Sequence, residues 1–380
     1  MARSPDVPIV LVFAVGLTCF AVSPPCGPEH LTVRAGRRGP PGGGPSLALR
    51  APEGGPPAKA GVLRAYEYSL PRMGTLFRIT LYSASQAEAG KSAMAAFERV
   101  EQLEESLSAF RDESELVRLS QEAVSAPRSV SPELFYVLDK SLQVSRLSGG
   151  AFDVTIGPLV EVWRQARRAK RLPDAAELAK AKAAVDYRNI ELDPQARTVF
   201  LKRPDMKLDL GGIAKGYAAQ QALELLAARG MRRALVVAGG DITLGAPPPG
   251  RAGWKIAIDD PSPEGQASPC NLVLHDVAIA TSGDAHQFVD VGGQRYSHII
   301  NPADGMGLKN SGSTTVIAPD GTMADALATA LSVLPVSEGL RLIESVEGAS
   351  AYIVRQSSPA LAGWRRFSSR RFPQACEDVR

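Results

Sequence analysis

The sequence predicts an α+β fold. Strand-like stretches come in runs rather than in regular alternation with helices, which argues against a doubly wound parallel sheet. Between the runs lie segments of helical apolar periodicity, bounded by start and stop residues. With 380 residues, 44% hydrophobic and 22% charged, the chain has an ordinary globular composition and enough material for two domains or one large one.

Pro8 to Ser23 is an apolar run with Arg3 before it, short for a spanning helix and suited to a signal-peptide core. Residues 1–25 are therefore read as a signal peptide or N-terminal anchor. Ala21-Val22-Ser23 has small residues at cleavage offsets, but Pro24 follows, and neither Cys19 nor Cys26 follows a lipobox. Residues 26–61 are rich in Pro, Gly and Arg, cannot bury a core, and read as a flexible tether. The folded domain is expected over 62–356. A basic tail over 357–380, with Arg365-Arg366 and Arg370-Arg371, is expected to be a solvated, frayed terminus.

Within the domain, Tyr66–Leu70 and Thr75–Tyr82 read as strands around Met73-Gly74. Gln86–Leu107 is an amphipathic helix, with Ala93, Phe97, Val100, Leu103 and Leu107 on one face. Ser131-Pro132 opens the next helix with an N-cap and a first-turn proline, and Gly149-Gly150 closes it. Asn189–Lys202 reads as a hairpin around Asp193-Pro194, and Leu208–Leu210 as the end of a strand. The helix after Gly212 runs to Gly230. Strands are expected at Ala234–Ala238, Trp254–Ile258, Val277–Thr281, Arg295–Ile300 and Ser313–Ala318. A helix follows over Thr322–Leu334, then another, then the strand Ala349–Val354. Ala246–Gly250 is expected to be a surface loop.

The net charge of +3 offers no clustered basic face for nucleic acid. The four cysteines, Cys19, Cys26, Cys270 and Cys376, have no zinc-ligand or redox-motif spacing and read as unpaired; Cys270 and Cys376 meet only if the tail folds back.

The chemistry concentrates at Asp209-Leu210-Gly211-Gly212-Ile213-Ala214-Lys215-Gly216-Tyr217. A carboxylate ends an extended run, a glycine pair turns the backbone, and a lysine follows in the first helical turns, where free N–H groups favour an anion. The junction suits a phosphate, and reads equally as a glycine turn packing a helix on a sheet. It lacks the spacing of a Walker A loop and of a dinucleotide fingerprint. Asp325 and Thr329, four residues apart, put a carboxylate and a hydroxyl on one helix face. These are hard donors for magnesium, or else a helix-dipole partner and a back-bonded threonine. His298 ends an extended run beside a turn, where its pKa range suits a general base. Phe152 to Leu159, Gly239-Gly240-Asp241 and Ala280 to Asp284 are further turning segments with carboxylates or hydroxyls.

In this order the pieces resemble the ApbE family, the FAD:protein FMN transferases. The matching motifs are Met73-Gly74-Thr75, Phe152 to Pro158, Asp209 to Tyr217, Gly239-Gly240-Asp241, Ala280 to Gly283, Ser297 to Pro302 and Ala324 to Thr329. The resemblance implies an α+β fold with mixed or antiparallel sheets, flanking helices and a nucleotide cleft between lobes. It implies FAD as substrate and Mg2+ as cofactor. The FMN half would pass to a threonine or serine hydroxyl of an exported or membrane-bound redox protein, releasing AMP.

The resemblance also implies roles. Ala214 through its carbonyl, Asp325 and Thr329 would hold the metal; Lys215 would lie at the diphosphate, and His298 would be the base. Met73, Asp153, Asp209, Gly240, Asp241, Thr281, Ser282 and Gly283 would surround flavin and adenylate, with Asp209 equally able to brace its turn. Ala285-His286 stands where the family has an aromatic residue, and Asn301 where many members have Asp. The expected location is periplasmic, or anchored to the outer face of the inner membrane through the N-terminal segment. A magnesium-dependent FAD pyrophosphatase and a non-catalytic flavin carrier are the alternatives.

Overall fold

The fold is that of a computed structural model describing residues 62–267, 270–283, 288–309, 312–357 and 363–374. The expected leader and tether, and Asp284, His286 and Cys376, lie outside the described residues.

The domain opens with β1 (Arg64–Arg72) and β2 (Thr75–Ser83), then α1 (Gln86–Leu107), α2 (Glu115–Glu122), the short β3 (Arg128–Ser129) and α3 (Pro132–Leu147). Next come α4 (Gly157–Ala169), α5 (Ala175–Ala183), the hairpin β4 (Ile190–Asp193) and β5 (Thr198–Leu201), and α6 (Ala214–Ala228). The strands β6 (Ala234–Ala238), β7 (Asp241–Leu244) and β8 (Trp254–Ala257) lead to α7 (Pro263–Ala267). They are followed by β9 (Asn271–Leu274), β10 (Val277–Gly283), β11 (Phe288–Val291), β12 (Gln294–Ser297) and β13 (Gly312–Ala318). The chain then forms α8 (Gly321–Val333), α9 (Val336–Ser345), β14 (Ser350–Gln356) and β15 (Trp364–Ser368).

Eight strands form one sheet in the order β1-β2-β6-β7-β10-β13-β14-β15, every pair antiparallel. Its central strands are buried on both faces, and the pleat sorts their residues between two cores. In β6, Ala234, Val236 and Ala238 face the larger core, which the helices cover, while Leu235 and Val237 face a smaller one. In β10 and β14 likewise, Ala278, Ala280 and Ala351 face the helices, and Ile279 and Tyr352 face away. Small residues on the helix side let α6 and α8 lie close to the sheet. A third core joins Leu159 and Trp163 of α4, Ala181 of α5, Val289 of β11, Tyr296 of β12 and Ile300 into a separate lobe. Its indole is anchored by Trp163 Nε1 donating to Gly305 O at 2.8 Å.

The tightest contact in the domain is the crossing of α6 and α8. A Cβ added at Gly216 would lie 2.0 Å from Gly321 O, and one at Gly321 would lie 2.3 Å from Gly216 O. Only glycine permits this approach. The far end of α8 is held by Arg355, whose Nη2 donates to Leu331 O at 3.2 Å and to Thr314 Oγ1 at 2.9 Å.

Three expectations need correction. Leu208–Leu210 is not a strand: the ladder there is a single parallel bridge between Ile156 and Lys207, because Asp209 N is bonded to Val154 O and the glycine turn follows at once. The tail is not frayed. Residues Trp364–Ser368 form the last strand of the large sheet, Arg366 Nε donates to Asp260 Oδ2 at 2.7 Å, and Phe372 stacks on Tyr352. These arginines were read as solvated because charge conceals a sheet edge. Cys270 is not unpaired: it is buried and disulfide-bonded. Among the described residues no helix is long and apolar enough to cross a membrane.

Gly216→Ala is predicted to cost about 3 kcal/mol, since the added methyl must push two helix backbones apart. Urea unfolding of residues 62–380 reads this directly as a lowered midpoint.

Candidate active site

The site is built where α6 meets α8. The residue before α6, Ile213, supplies no side-chain cap, so the first N–H groups of that helix need another partner. Asp325, from the first half of α8, provides one: Gly216 N donates to Asp325 Oδ2 at 3.0 Å. The glycine crossing that brings the helices together thus lets a carboxylate of one cap the other. One turn along, Thr329 lies against the preceding loop, its Oγ1 3.0 Å from where a Cβ on Gly212 would sit. Ala214, between these two points, is the first residue of α6.

Lys215 sits in the middle. Its Nζ lies 3.2 Å from Asp325 Oδ2, 3.2 Å from Asp241 Oδ2 and 3.1 Å from Gly211 O. Both carboxylates are buried, at 3% and 4% exposure. Burial by itself pulls the ammonium pKa down, but the charges of Asp241 and Asp325 win and hold it above the ordinary lysine range. Asp241 is displaced the other way. Burial, then the charge of Asp325, push its carboxyl up to about 7 against the opposing pull of Lys215.

The other expected residues separate into two groups. Met73 and Gly74 form the two-residue turn of the β1–β2 hairpin, both at positive φ (49° and 70°). Thr75 lies beside the Gly239 turn that leads to Asp241. Gly240 must be glycine, since a Cβ there would lie 2.6 Å from Thr281 O. Thr281, Ser282 and Gly283 end β10, with Thr281 Oγ1 3.0 Å from Thr315 Oγ1. Along β10, Ser282 falls on the Asp241 side with Ala280, whereas Thr281 alternates onto the opposite face with Ile279.

Asp153 and Asp209 instead brace backbone. Asp153 Oδ1 accepts from Thr155 N at 2.8 Å and Thr155 Oγ1 at 2.6 Å, and Oδ2 from Tyr187 N at 2.9 Å. Asp209 Oδ1 accepts from Gly211 N at 2.8 Å, fixing the glycine turn. His298 follows β12 in the small lobe, half-buried, with the flanking backbone pinned by Ser297 N to Leu308 O and Leu308 N to Ile299 O.

Two residues escaped the sequence reading. Arg164 of α4 stands 4.4 Å over the ring of Phe110, a side chain 64% exposed between α1 and α2. Burial raises the Asp209 carboxyl, while the charges of Arg164 and Lys215 pull it down, so both cations act on this end of the site. Phe110 and Arg164 lie far apart along the chain, so no local pattern signalled their contact.

The donors present fit a hard cation. Asp325, Thr329 and the Ala214 carbonyl offer carboxylate, hydroxyl and main-chain oxygen. Among the described residues there is no group of three or more His, Cys, Asp or Glu placed to hold a metal ion. A cavity of about 760 Å³ on the α1–α2 flank is lined by Glu105, Glu113, Glu115 and Arg118, not by these residues.

Residues 73–353 match the model of the ApbE family. A FAD:protein FMN transferase from Treponema pallidum is 34% identical over 77% of this chain and 86% of its own length. One from Klebsiella pneumoniae is 31% identical over 77% of this chain and 90% of its own. The solved structure of the flavin transferase ApbE from Vibrio cholerae superimposes with a TM-score of 0.74 at 29% identity, covering 82% of this chain and 99% of that one.

Asp153→Ala is predicted to cost about 2 kcal/mol by orphaning the buried N–H donors of Thr155 and Tyr187. Asp153→Asn, which keeps an acceptor oxygen, recovers part of that loss in the same denaturation experiment.

Proposed function

The chain belongs to the ApbE family, and on that premise we propose that it is a magnesium-dependent enzyme moving FMN from FAD to a threonine or serine hydroxyl of an exported redox protein, with release of AMP. The observation that carries this reading is the Lys215 ammonium held between two buried carboxylates, with Thr329 one turn from Asp325. A diphosphate bound beside it would meet positive charge and hard donors as it develops negative charge.

Phosphoryl-type transfer asks a protein for positioning, charge neutralisation and an activated hydroxyl rather than covalent help. Asp325, Thr329 and the Ala214 carbonyl would hold magnesium, which supplies charge neutralisation on the diphosphate. Lys215 adds a cation where the leaving group gathers charge. His298 takes the proton of the acceptor hydroxyl as its oxygen bonds to the FMN phosphorus. The bond from that phosphorus to the bridging oxygen breaks, and the oxygen leaves with AMP. Arg164 steadies the Phe110 ring, whose other face suits stacking on a planar heterocycle. Export is supported by the apolar run Pro8 to Ser23, and the disulfide at Cys270 favours an oxidising compartment.

The test is incubation of residues 62–380 with FAD, magnesium and an acceptor carrying a flavinylation-type threonine motif. The expected result is AMP with a fluorescent acceptor band that survives denaturation, both lost with EDTA and in Asp325→Ala. AMP with free FMN and no labelled band would make the enzyme a pyrophosphatase; bound FAD without AMP would make it a carrier. His298→Ala is predicted to retain FAD binding and to lose transfer by about 10²–10⁴-fold.

A further inference from the structure

The motif comparison set Asp241 among the surroundings of flavin and adenylate. Its carboxylate instead turns inward. Asp241 is 4% exposed, and its Oδ2 takes no hydrogen bond of good geometry; the Lys215 ammonium at 3.2 Å is its countercharge. Asp325 shares the same ammonium at the same distance, through the oxygen that also accepts Gly216 N, while its Oδ1 stands 3.5 Å from Nζ. Among the described residues no other cationic side chain pairs with either carboxylate. Two buried anions thus share one cation, and one of them belongs to the expected metal donors.

We propose that Lys215 is a movable counter-ion of the divalent-cation site, and that Asp241 is the positioning residue that receives it. Without a divalent cation the ammonium neutralises Asp325. When a cation takes Asp325, the ammonium gives up that carboxylate and stays with Asp241, forming a neutral pair beside the new charge. Among the described residues, Asp241 is the other carboxylate paired with this ammonium, so it can hold the displaced charge inside the protein. The inference rests on the reading of Asp325 as a metal donor and goes beyond it. It assigns Asp241 a task that needs no contact with substrate, and it makes Lys215 a competitor of the metal as well as a partner of the diphosphate.

The experiment is a double-mutant cycle on manganese binding. Free Mn2+ is measured by electron paramagnetic resonance with the full chain and no FAD, for wild type, Asp241→Asn, Lys215→Met, the double variant and Asp325→Ala. Wild type is expected to bind in a manner lost in Asp325→Ala; equal binding by the two would overturn the metal-donor reading itself. Asp241→Asn is expected to weaken binding about tenfold, by leaving the ammonium no refuge but Asp325. Lys215→Met is expected to tighten it, and in that background Asp241→Asn is expected to change it less than about twofold. Additive effects would overturn the proposal while leaving the metal site standing, since a fixed charge field adds and a competitor does not. A second measurement needs no functioning variant. The Lys215 ζ-nitrogen resonance of the wild-type chain should shift on titration with magnesium chloride. A resonance that stays in place while magnesium binds would overturn the proposal.

Discussion

Everything in the site depends on how closely two helix backbones approach. At the Gly216–Gly321 crossing, either added methyl would fall well inside van der Waals contact distance of the opposing carbonyl oxygen. That contact sets the height of α8 against the start of α6, so Asp325 can reach Gly216 N and Thr329 can reach Gly212. It also places the Lys215 backbone between Ala214 and Gly216, from where the side chain reaches both Asp325 and Asp241. The alanines of β10, β14 and α8 extend the same logic into the sheet: small side chains bring backbones together, and close backbones carry polar groups into register.

The electrostatics follow from that packing. Two carboxylates are buried beside the crossing and share one ammonium, whose side chain keeps 29% of its exposure. The cost of burying a lone charge is high, and here it is offset by pairing and by a backbone N–H. Such a cluster is poised toward cations and anions alike, because its components can redistribute charge without unfolding anything. The remaining carboxylates serve differently. Asp153 and Asp209 spend their oxygens on local N–H groups, and the turns they hold are those that deliver Phe152 and Gly212 to the site.

Much of this was legible in the chain. The bounds of α1 are those its apolar stripe indicated, and the α8 pair Asp325–Thr329 follows from helical spacing alone. What was not legible has physical reasons. The helix α4 follows a segment that reads as a turn, and its arginine-rich face masks the buried Leu159, Trp163 and Ala166. The strand β7 is four residues long and begins at Asp241, directly after two glycines, so its carboxylate read as a loop residue. The Lys215–Asp241 pair joins separate elements across the fold, and no local pattern encodes such a contact. The identity of the fold was carried by the order of motifs, and the division of labour among the aspartates by their hydrogen bonds.

The order of the large sheet puts the first strand of the domain at one edge and the last strand at the other. An edge strand of an open sheet is where an extended chain could add to the ladder. Both edges carry deterrents. In β1 these are Arg64, Glu67, Pro71 and Arg72, and in β15 the pair Arg365 and Arg366. The arginines that looked like a dissolving tail are, on this view, guards against self-association. Charge and proline thus rule off the two most adhesive lines of the sheet.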